Sequence, residues 1–260
     1  PGGQSALWLR YRLPANAQEQ MLRVFAPYLE YLDLYVLQGN QLLNQAHTGS
    51  QLPWRERPVL SRELLLPLPQ IAEPVELYLR IKSVYALRPD ISLQTTQALV
   101  ADDHRALLFG SLLGCIVMLV LYNLVRFAYV HTSSTLWLAA GQLSLLLASM
   151  TLLGITTPWL GQWQSLQAEI LNIAILLGLL CTLAFTASFF RQVCPTTPLN
   201  KLLLAEIVLI SLSGLLLLVL TDVQFNQLVY LLIAVASLSM LIIAIYHWRH
   251  SYRPARLFTL

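Results

Sequence analysis

Charged side chains are scarce in this chain of 260 residues: they make up 11% of it, whereas apolar residues make up 57%. In an ordinary soluble domain about a quarter of the residues are charged. The shortage excludes an ordinary cytosolic enzyme, a disordered tail and a nucleic-acid binder that works through a basic patch. We therefore expect no nucleic acid among the partners of this protein.

Cysteine is scarce as well. The three cysteines are Cys115, Cys181 and Cys194, and none lies in the first 105 residues. The N-terminal part therefore has no disulfide framework. Because the sequence also lacks a CxxC or CxxH pattern, it offers no metal site. We expect neither a metal nor another cofactor in this sequence.

The charges that are present lie mostly in the first part of the chain. Residues 1–105 hold 10 Lys/Arg and 10 Asp/Glu, whereas residues 106–260 hold 6 Lys/Arg and 3 Asp/Glu. This change in composition divides the chain near residue 105. We predict a water-compatible domain over residues 1–104 and a membrane region over residues 105–260.

Apolar stretches in the second part are long enough to cross a bilayer, which takes about 20 helical residues. The five predicted spans cover residues 106–127, 136–155, 168–190, 202–220 and 228–246. Residues 255–260 are again apolar and fit the start of a sixth span. We therefore expect an all-α transmembrane bundle, in a sequence cut short within or before its sixth helix.

The basic residues of the membrane region indicate its orientation. They follow the first, third and fifth predicted spans and are Arg126, Arg191, Lys201, Arg249, Arg253 and Arg256. The two other loops, at about 156–167 and 221–227, contain no Lys or Arg. Because basic loops stay in the cytoplasm, residues 1–104 should lie outside. We expect a multi-pass protein of a bacterial inner membrane with a periplasmic N-terminal domain.

Alternating polar and apolar side chains indicate strands in the first part. Every second residue of Val75–Lys82 is apolar, which is typical of a strand with one buried face. Leu7–Leu13 alternates in the same way, and Tyr28–Leu37 and Gln41–Ala46 are further extended runs. Strands at this spacing, without a helical period, predict an antiparallel β-sandwich.

Several segments, taken in order, resemble a known family. They are WLRYRL (Trp8–Leu13), LDLY (Leu32–Tyr35), GSQLPWRERP (Gly49–Pro58) and LYLRIKS (Leu77–Ser83), then Gly110, Gly114 and LYNL (Leu121–Leu124) in the first span, and Pro254-Ala255-Arg256 before the sixth. Their order and spacing resemble the bacterial seven-transmembrane receptors with diverse intracellular signalling modules. The resemblance covers essentially the whole chain.

This resemblance implies a sensor. Its exported domain would be a jelly-roll-like sandwich that binds carbohydrate or another small ligand, and seven helices would follow. A cytoplasmic diguanylate cyclase or histidine kinase would lie beyond the present sequence, so we expect no catalytic residue within it. Both enzymes act as dimers in such receptors, and we expect a homodimer in the bilayer. The segment 98–105 is short, so a movement of the sandwich should reach the first helix through it.

A carbohydrate site needs an aromatic surface beside polar groups with several donors. The candidate ligand-binding residues are Trp54, Arg55, Arg57, Arg62, Asp33, Trp8 and Tyr85. The alternative is structural: Trp54 would close one end of the sandwich while the arginines pair with Glu56 and Glu63. Asp33 would then bond an arginine such as Arg80.

Polar and small residues within the predicted spans are candidates for helix packing. Gly110 and Gly114 form a GxxxG motif, which permits close contact between helices, and Asn123 can hydrogen-bond to another helix. Glu206 is either a relay for protons or signals, or a carboxylate at the membrane surface near Lys201.

Two other classes of function have less support. Asp33, His47 and Ser61 are residue types found in hydrolases, but no nucleophile elbow accompanies them. A membrane transporter usually interrupts its helices with Gly or Pro at mid-membrane, whereas Pro158, Pro195 and Pro198 fall in predicted loops. A transporter, or an exported docking module for a partner protein, remains the alternative to a sensor.

Overall fold

The computed structural model describes residues 6–15, 20–27, 29–39, 41–71, 73–83, 90–95, 98, 103–193, 198–218, 220 and 222–249. Its contacts divide the chain into two compact units. The sandwich unit consists of residues 1–112 and 149–171, and the helical unit consists of residues 113–148 and 172–260. The domain boundary predicted between residues 104 and 105 follows the change from strands to helices and stays a prediction.

Among the described residues, seven strands form two antiparallel sheets in the sandwich unit. The strands are β1 (Leu7–Leu13), β2 (Gln20–Phe25), β3 (Tyr31–Gln38), β4 (Gln41–Thr48), β5 (Leu64–Pro67), β6 (Val75–Lys82) and β7 (Asp90–Thr95). One sheet has the strand order β1-β6-β3-β4, and the other has the order β5-β2-β7. The predicted antiparallel sandwich is confirmed.

The hydrophobic core lies between the two sheets. Every second residue of β6, from Val75 to Ile81, is buried, and the residues between them are half exposed. They pack with buried residues of β3 and with Leu22 and Leu66 of the three-stranded sheet. Burying one aliphatic side chain of this kind contributes about 1.5–3 kcal/mol. The alternation in the sequence therefore determines which face of the four-stranded sheet is exposed to solvent.

The sandwich has a cleft on one side. The edge strands β1 and β7 border it, its volume is about 410 Å³, and Leu9, Leu79 and Leu93 are among its lining residues. Tyr11 belongs to the inner face of β1, yet it is 56% exposed. The reason is that the cleft leaves the inner face of this edge strand open.

Five long helices are described after the strands. They are α1 (Asp103–Val130), α2 (Ser133–Leu152), α3 (Gln167–Val193), α4 (Pro198–Ser213) and α5 (Asp222–Arg249). Within the described residues, four are long and apolar enough to cross a membrane, over Ala106–Val130, Ser133–Leu152, Gln167–Phe190 and Gln224–Tyr246. These four agree with the first, second, third and fifth predicted spans.

The fourth predicted span, at about 202–220, differs from the structure. Helix α4 has 16 residues, and the chain continues as a 3₁₀-helix over Gly214–Leu218. Glycine disfavours the interior of an α-helix. The hydroxyl of Ser213, just before it, donates a hydrogen bond to the carbonyl oxygen of Ile210 over 2.7 Å, a contact that tends to bend helices. Two shorter helical segments therefore replace the single predicted helix.

Buried polar side chains join neighbouring helices of the helical unit. The amide nitrogen of Asn123 in α1 donates a hydrogen bond to the side-chain oxygen of Gln142 in α2 over 3.1 Å. The hydroxyl of Ser239 in α5 donates to the carboxylate of Glu206 in α4 over 2.8 Å. Because Glu206 is buried, the structure replaces the expected surface position beside Lys201 with a contact between helices.

Gly110 and Gly114 lie on an open side of α1. A Cβ atom at either position would meet nothing within 4 Å among the described residues. The GxxxG motif therefore makes no close helix contact within the described chain, and its role in helix packing stays a prediction.

Candidate functional site

The outer face of the four-stranded sheet carries aromatic and charged side chains in two adjoining rows. The pairing of β1, β6, β3 and β4 aligns Trp8, Arg80, Asp33 and His47 in one row, and Arg10, Tyr78, Tyr35 and Gln45 in the next. These residues alternate with those that face the core, so they point away from it. We call the residues of the two rows the sheet platform.

Aromatic rings form one part of the sheet platform. The rings of Trp8 and Tyr35 are stacked, with centroids 6.0 Å apart and an interplanar angle of 25°. The His47 ring meets Tyr35 edge-on, at 6.1 Å. Trp8 is 55% exposed, so a wide apolar ring face is open to solvent although Tyr35 supports it.

Asp33 organises the polar part of the sheet platform. One of its carboxylate oxygens accepts a hydrogen bond from Nη1 of Arg80 over 2.9 Å. The other lies 2.9 Å from Nδ1 of His47. The Asp33 carboxylate is largely buried, whereas the Arg80 and His47 side chains are 40% and 50% exposed. Both side chains are thus held in place while a polar edge stays accessible. The ligand-binding role of Asp33 stays a prediction.

Glu76 holds two arginines of β1 beside the sheet platform. Its carboxylate accepts hydrogen bonds from Nε of Arg10 over 3.1 Å, from Nε of Arg12 over 3.0 Å and from the hydroxyl of Tyr78 over 3.1 Å. The hydrogen bond from Arg10 has the largest effect on the pKa of Glu76. Together with the hydrogen bonds from Arg12 and Tyr78, it lowers this pKa to about 2. The Arg10 guanidinium also lies over the Tyr78 ring, 5.7 Å from its centroid. These contacts orient exposed positive groups next to the aromatic surface.

The other predicted ligand-binding residues lie in the segment between β4 and β5. Trp54 and Arg55 belong to a 3₁₀-turn at Trp54–Glu56, and Arg57 and Arg62 follow it. The hydrogen bonds and ring contacts found for Trp54 and Arg57 are to residues outside the sheet platform. Tyr85 lies outside the described residues. The structure thus brings Trp8 and Asp33 together on one face and leaves the Trp54 segment apart from their contacts.

Arg57 is buried and binds backbone. Its Nη2 donates a hydrogen bond to the carbonyl oxygen of Gly49 over 2.9 Å, and its guanidinium lies 5.4 Å from the centroid of the Trp54 ring. Burial lowers the pKa of Arg57 to about 10, so the group stays charged at neutral pH. Only glycine fits at position 49, since a Cβ there would lie 2.1 Å from the carbonyl oxygen of Glu30.

The partner of Glu63 is not the arginine that the sequence predicted. Glu63 forms a buried bidentate pair with Arg23 of β2, an arginine that the sequence did not single out. The charge of Arg23 interrupts the apolar pattern of Gln20–Phe25, and no strand was predicted there. The strand forms because Glu63 on the chain before β5 neutralises Arg23 on the face of the three-stranded sheet.

Six of the eight residues of the sheet platform were not predicted to bind ligand. Tyr35, Tyr78, Arg10 and Gln45 join Trp8 and Asp33 only because β1 pairs with β6, β6 with β3, and β3 with β4. The alternation shows that each of these side chains points outward on its own strand. It does not show which strands are neighbours, and this is the information that sequence reasoning lacked.

Two family models match the chain. The model described as 7TMR-DISM extracellular 2 matches residues 2–95, and the model described as 7TM diverse intracellular signalling matches residues 105–260. No curated protein matches the chain. Together with the sandwich and the apolar helices, these matches define a membrane sensor with an extracellular domain. The chain belongs to the seven-transmembrane receptors with diverse intracellular signalling modules, as its motifs suggested.

Proposed function

We propose that this chain is the sensing and membrane-spanning part of a bacterial inner-membrane receptor, and that the sheet platform binds its ligand. The observation that carries the proposal is the exposed Trp8 ring beside the Asp33, Arg80 and His47 group. A ligand site needs a surface whose polar groups are held in place before binding, so that little entropy is lost. The sheet platform meets this requirement because Asp33 and Tyr35 hold its exposed side chains.

The proposed ligand is a carbohydrate or another small polyhydroxylated molecule. The CH groups of a sugar ring can pack on the face of Trp8, which is the usual role of an aromatic ring in such a site. Hydroxyl groups at the edge of the sugar can then bond to Arg80, His47 and Gln45. The Trp54 segment has less support as the binding site, since Arg57 is buried and bonded to backbone.

The proposed receptor acts as a homodimer with its sandwich in the periplasm. The six-to-zero distribution of Lys and Arg between the two sets of predicted loops supports this orientation. Membership of the family supports an output module in the cytoplasm, a diguanylate cyclase or else a histidine kinase, which would carry any catalytic activity. The open side of α1 around Gly110 and Gly114 offers a surface for a second copy.

A binding screen of the full chain in lipid nanodiscs tests the proposal. Mono- and oligosaccharides are titrated into native protein and into the variants Trp8→Ala and Tyr11→Ala. These two aromatic residues of β1 are equally exposed, at 55% and 56%, but they point to opposite faces of the sheet. Loss of a stacked ring costs about 1–2 kcal/mol, so we expect Trp8→Ala to weaken binding roughly tenfold.

The Tyr11→Ala control should bind as the native protein does. Equal weakening in both variants, or no weakening in either, would contradict a ligand site on the sheet platform. If no saccharide binds but a protein of the same cell envelope binds through Trp8, the sandwich is a docking module, which was the alternative hypothesis.

A further inference from the structure

The connection between α2 and α3 packs against the strands of the sandwich unit. This α2–α3 connection, residues 153–166, contains a helical turn at Thr157–Leu160 and a 3₁₀-helix at Gly161–Leu166. Both contact the 3₁₀-turn Trp54–Glu56 that lies between β4 and β5. The α2–α3 connection and the strands belong to the same compact unit.

Gly154 ends α2 in a conformation that favours glycine. The amide of Gly154 donates to the carbonyl oxygen of Thr151 over 3.1 Å, and the amide of Ile155 donates to that of Met150 over 2.9 Å. This pair of bonds is the Schellman motif, which places its glycine in the left-handed region. The φ of Gly154 is accordingly +70°.

Gly154 also approaches the sandwich closely. A Cβ atom on it would lie 2.8 Å from the carbonyl oxygen of Arg62 and 2.8 Å from the Cβ of Pro27. Such distances are shorter than van der Waals contact, so one added methyl group would force the two surfaces apart. A side chain larger than that of glycine therefore does not fit between the α2–α3 connection and the sandwich at this position.

The two sides of the α2–α3 connection have different environments. Thr156 and Thr157 are buried, whereas Trp159 is 81% exposed and Trp163 is 63% exposed. An element with one buried and one exposed side is docked in a defined orientation. Exposed tryptophans that follow an apolar helix suit the surface region of a bilayer, which would hold the other side of this element.

A chain of contacts runs from the sheet platform to this element. His47 lies on the platform, and two residues later the Gly49 carbonyl accepts the hydrogen bond from Arg57. Arg57 stacks on Trp54, and the turn that starts at Trp54 contacts the α2–α3 connection. A shift of β4 on ligand binding would therefore move the turn that meets the α2–α3 connection.

We propose that the α2–α3 connection is a clamp through which the sandwich acts on α2 and α3. Its sandwich side consists of Pro27, Arg62 and the turn Trp54–Glu56, against which Arg57 packs. This inference rests on the proposed sensing function and adds to it a route of signal transmission. The route is separate from the segment 98–105, which leads only into α1, because the clamp is continuous with the ends of two other helices.

Hydrogen exchange on the full chain in lipid nanodiscs, without any ligand, tests the clamp. The test variant is Gly154→Ala, and the matched control is Gly161→Ala. Gly161 has a φ of +54° and lies in the same connection, but a Cβ there would meet nothing within 4 Å. Both glycines have a positive φ, and the ψ of −111° at Gly161 makes the backbone cost of an alanine there at least as large as at Gly154. Only Gly154→Ala pushes against the sandwich.

We expect exchange at residues 54–57 and 149–152 to rise roughly tenfold in Gly154→Ala, since overpacking weakens a contact by this order. In Gly161→Ala, exchange at residues 54–57 should stay within about twofold of native. Equal effects of the two substitutions, or an effect of Gly154→Ala that leaves residues 54–57 unchanged, would overturn the proposal. If Gly154→Ala does not insert or fold, Pro27→Gly removes the Pro27 Cβ and Cγ atoms that lie nearest Gly154 and should give the same pattern.

A third variant separates the two routes. A ten-residue Gly/Ser linker inserted after Val100 leaves the clamp intact, so protection at residues 149–152 should be retained. Loss of this protection would show that only the segment 98–105 holds the sandwich in place, and the clamp would be wrong. Because no ligand is used, a negative saccharide screen would not affect the hydrogen-exchange results. A negative hydrogen-exchange result would likewise not affect the screen.

Discussion

Asp33 is the residue on which the sheet platform depends most. Its carboxylate bonds Arg80 and His47 at once, over 2.9 Å in each case, and it is itself buried. A buried carboxylate is stable only when such partners offset the cost of removing it from water. The acid thus holds two exposed side chains in place and needs both of them for its own burial.

Replacing Asp33 should therefore destabilise the sandwich. Asp33→Asn keeps the shape of the side chain but loses the charge that strengthens both hydrogen bonds. We expect the free energy of unfolding of the sandwich to fall by about 1–3 kcal/mol, as for other buried hydrogen bonds to charged groups. Urea denaturation followed by tryptophan fluorescence measures this loss.

The exposed Glu56 provides a control for Asp33. Glu56→Gln also removes one negative charge, and an exposed substitution of this kind should change the free energy of unfolding by no more than about 0.5 kcal/mol. If both variants lost the same stability, Asp33 would not organise the sheet platform as described.

Arg57 shows how burial changes the interpretation of a residue. An arginine after a tryptophan suggested ligand binding, but its guanidinium is buried against Trp54 and bonded to Gly49. Burial lowers its pKa to about 10, which still leaves the charge in place at neutral pH. These contacts favour a role in holding the turn at Trp54–Glu56, and a direct role in binding stays a prediction.

At the scale of elements, the pairing of β1 with β6 depends on a cluster around Glu76. Arg10 and Arg12 of β1 both donate to this carboxylate of β6. Each exposed pair of this kind contributes little alone. The cluster nevertheless ties an edge strand, which borders the cleft, to the centre of its sheet.

This cluster predicts a dependence of stability on acid pH. The pKa of Glu76 falls from its ordinary value of 4.5 to about 2 on folding. Between these values the unfolded chain binds the proton and the folded chain does not, so stability falls as pH falls. The contribution is fully present above pH 4.5 and is lost toward pH 2.

Glu76→Gln should flatten this part of the pH profile. Thermal unfolding of the native protein and the variant between pH 6 and pH 2 measures the difference, with Glu56→Gln as the control. The native protein and the control should lose more stability on acidification than Glu76→Gln does. Parallel profiles for all three would contradict the role given to the cluster.

The sequence predicted strands and helices well where a single periodic pattern decides them. β1 and β6 follow from alternation, and four spans follow from apolar length. It missed β2 and β7, whose central residues are polar or charged and are accommodated by partners distant in sequence, such as Glu63 with Arg23. It also missed the break after α4, where Gly214 and the back-bonded Ser213 interrupt a largely apolar stretch.

The candidate site was predicted only in part, for a reason that lies in strand pairing. Trp8 and Asp33 were selected by residue type, and the register then placed Arg80, Tyr35 and His47 next to them. Strand order is a property of the whole sandwich, and no local pattern in one strand determines it. The contact of the α2–α3 connection with the Trp54 turn is likewise tertiary, since about 100 residues separate the two segments.

Each of the two compact units of the molecule is built from two separate stretches of the chain. The sandwich unit includes the start of α1, the end of α2 and the start of α3. Under the proposed sensing function, a change in the sandwich would reach these helix ends within one unit. Ligand binding can shift the balance of two arrangements only by its differential affinity for them, typically 1–3 kcal/mol.

The most direct test of a receptor that carries a signal inward is the topology of the chain in the membrane. Alkaline phosphatase, which is active only after export, is fused after residues 131, 162 and 197 and expressed in a bacterial host. The distribution of Lys and Arg predicts activity at 162 and none at 131 or 197. The opposite pattern would place the sandwich in the cytoplasm and contradict the account of an exported sensor.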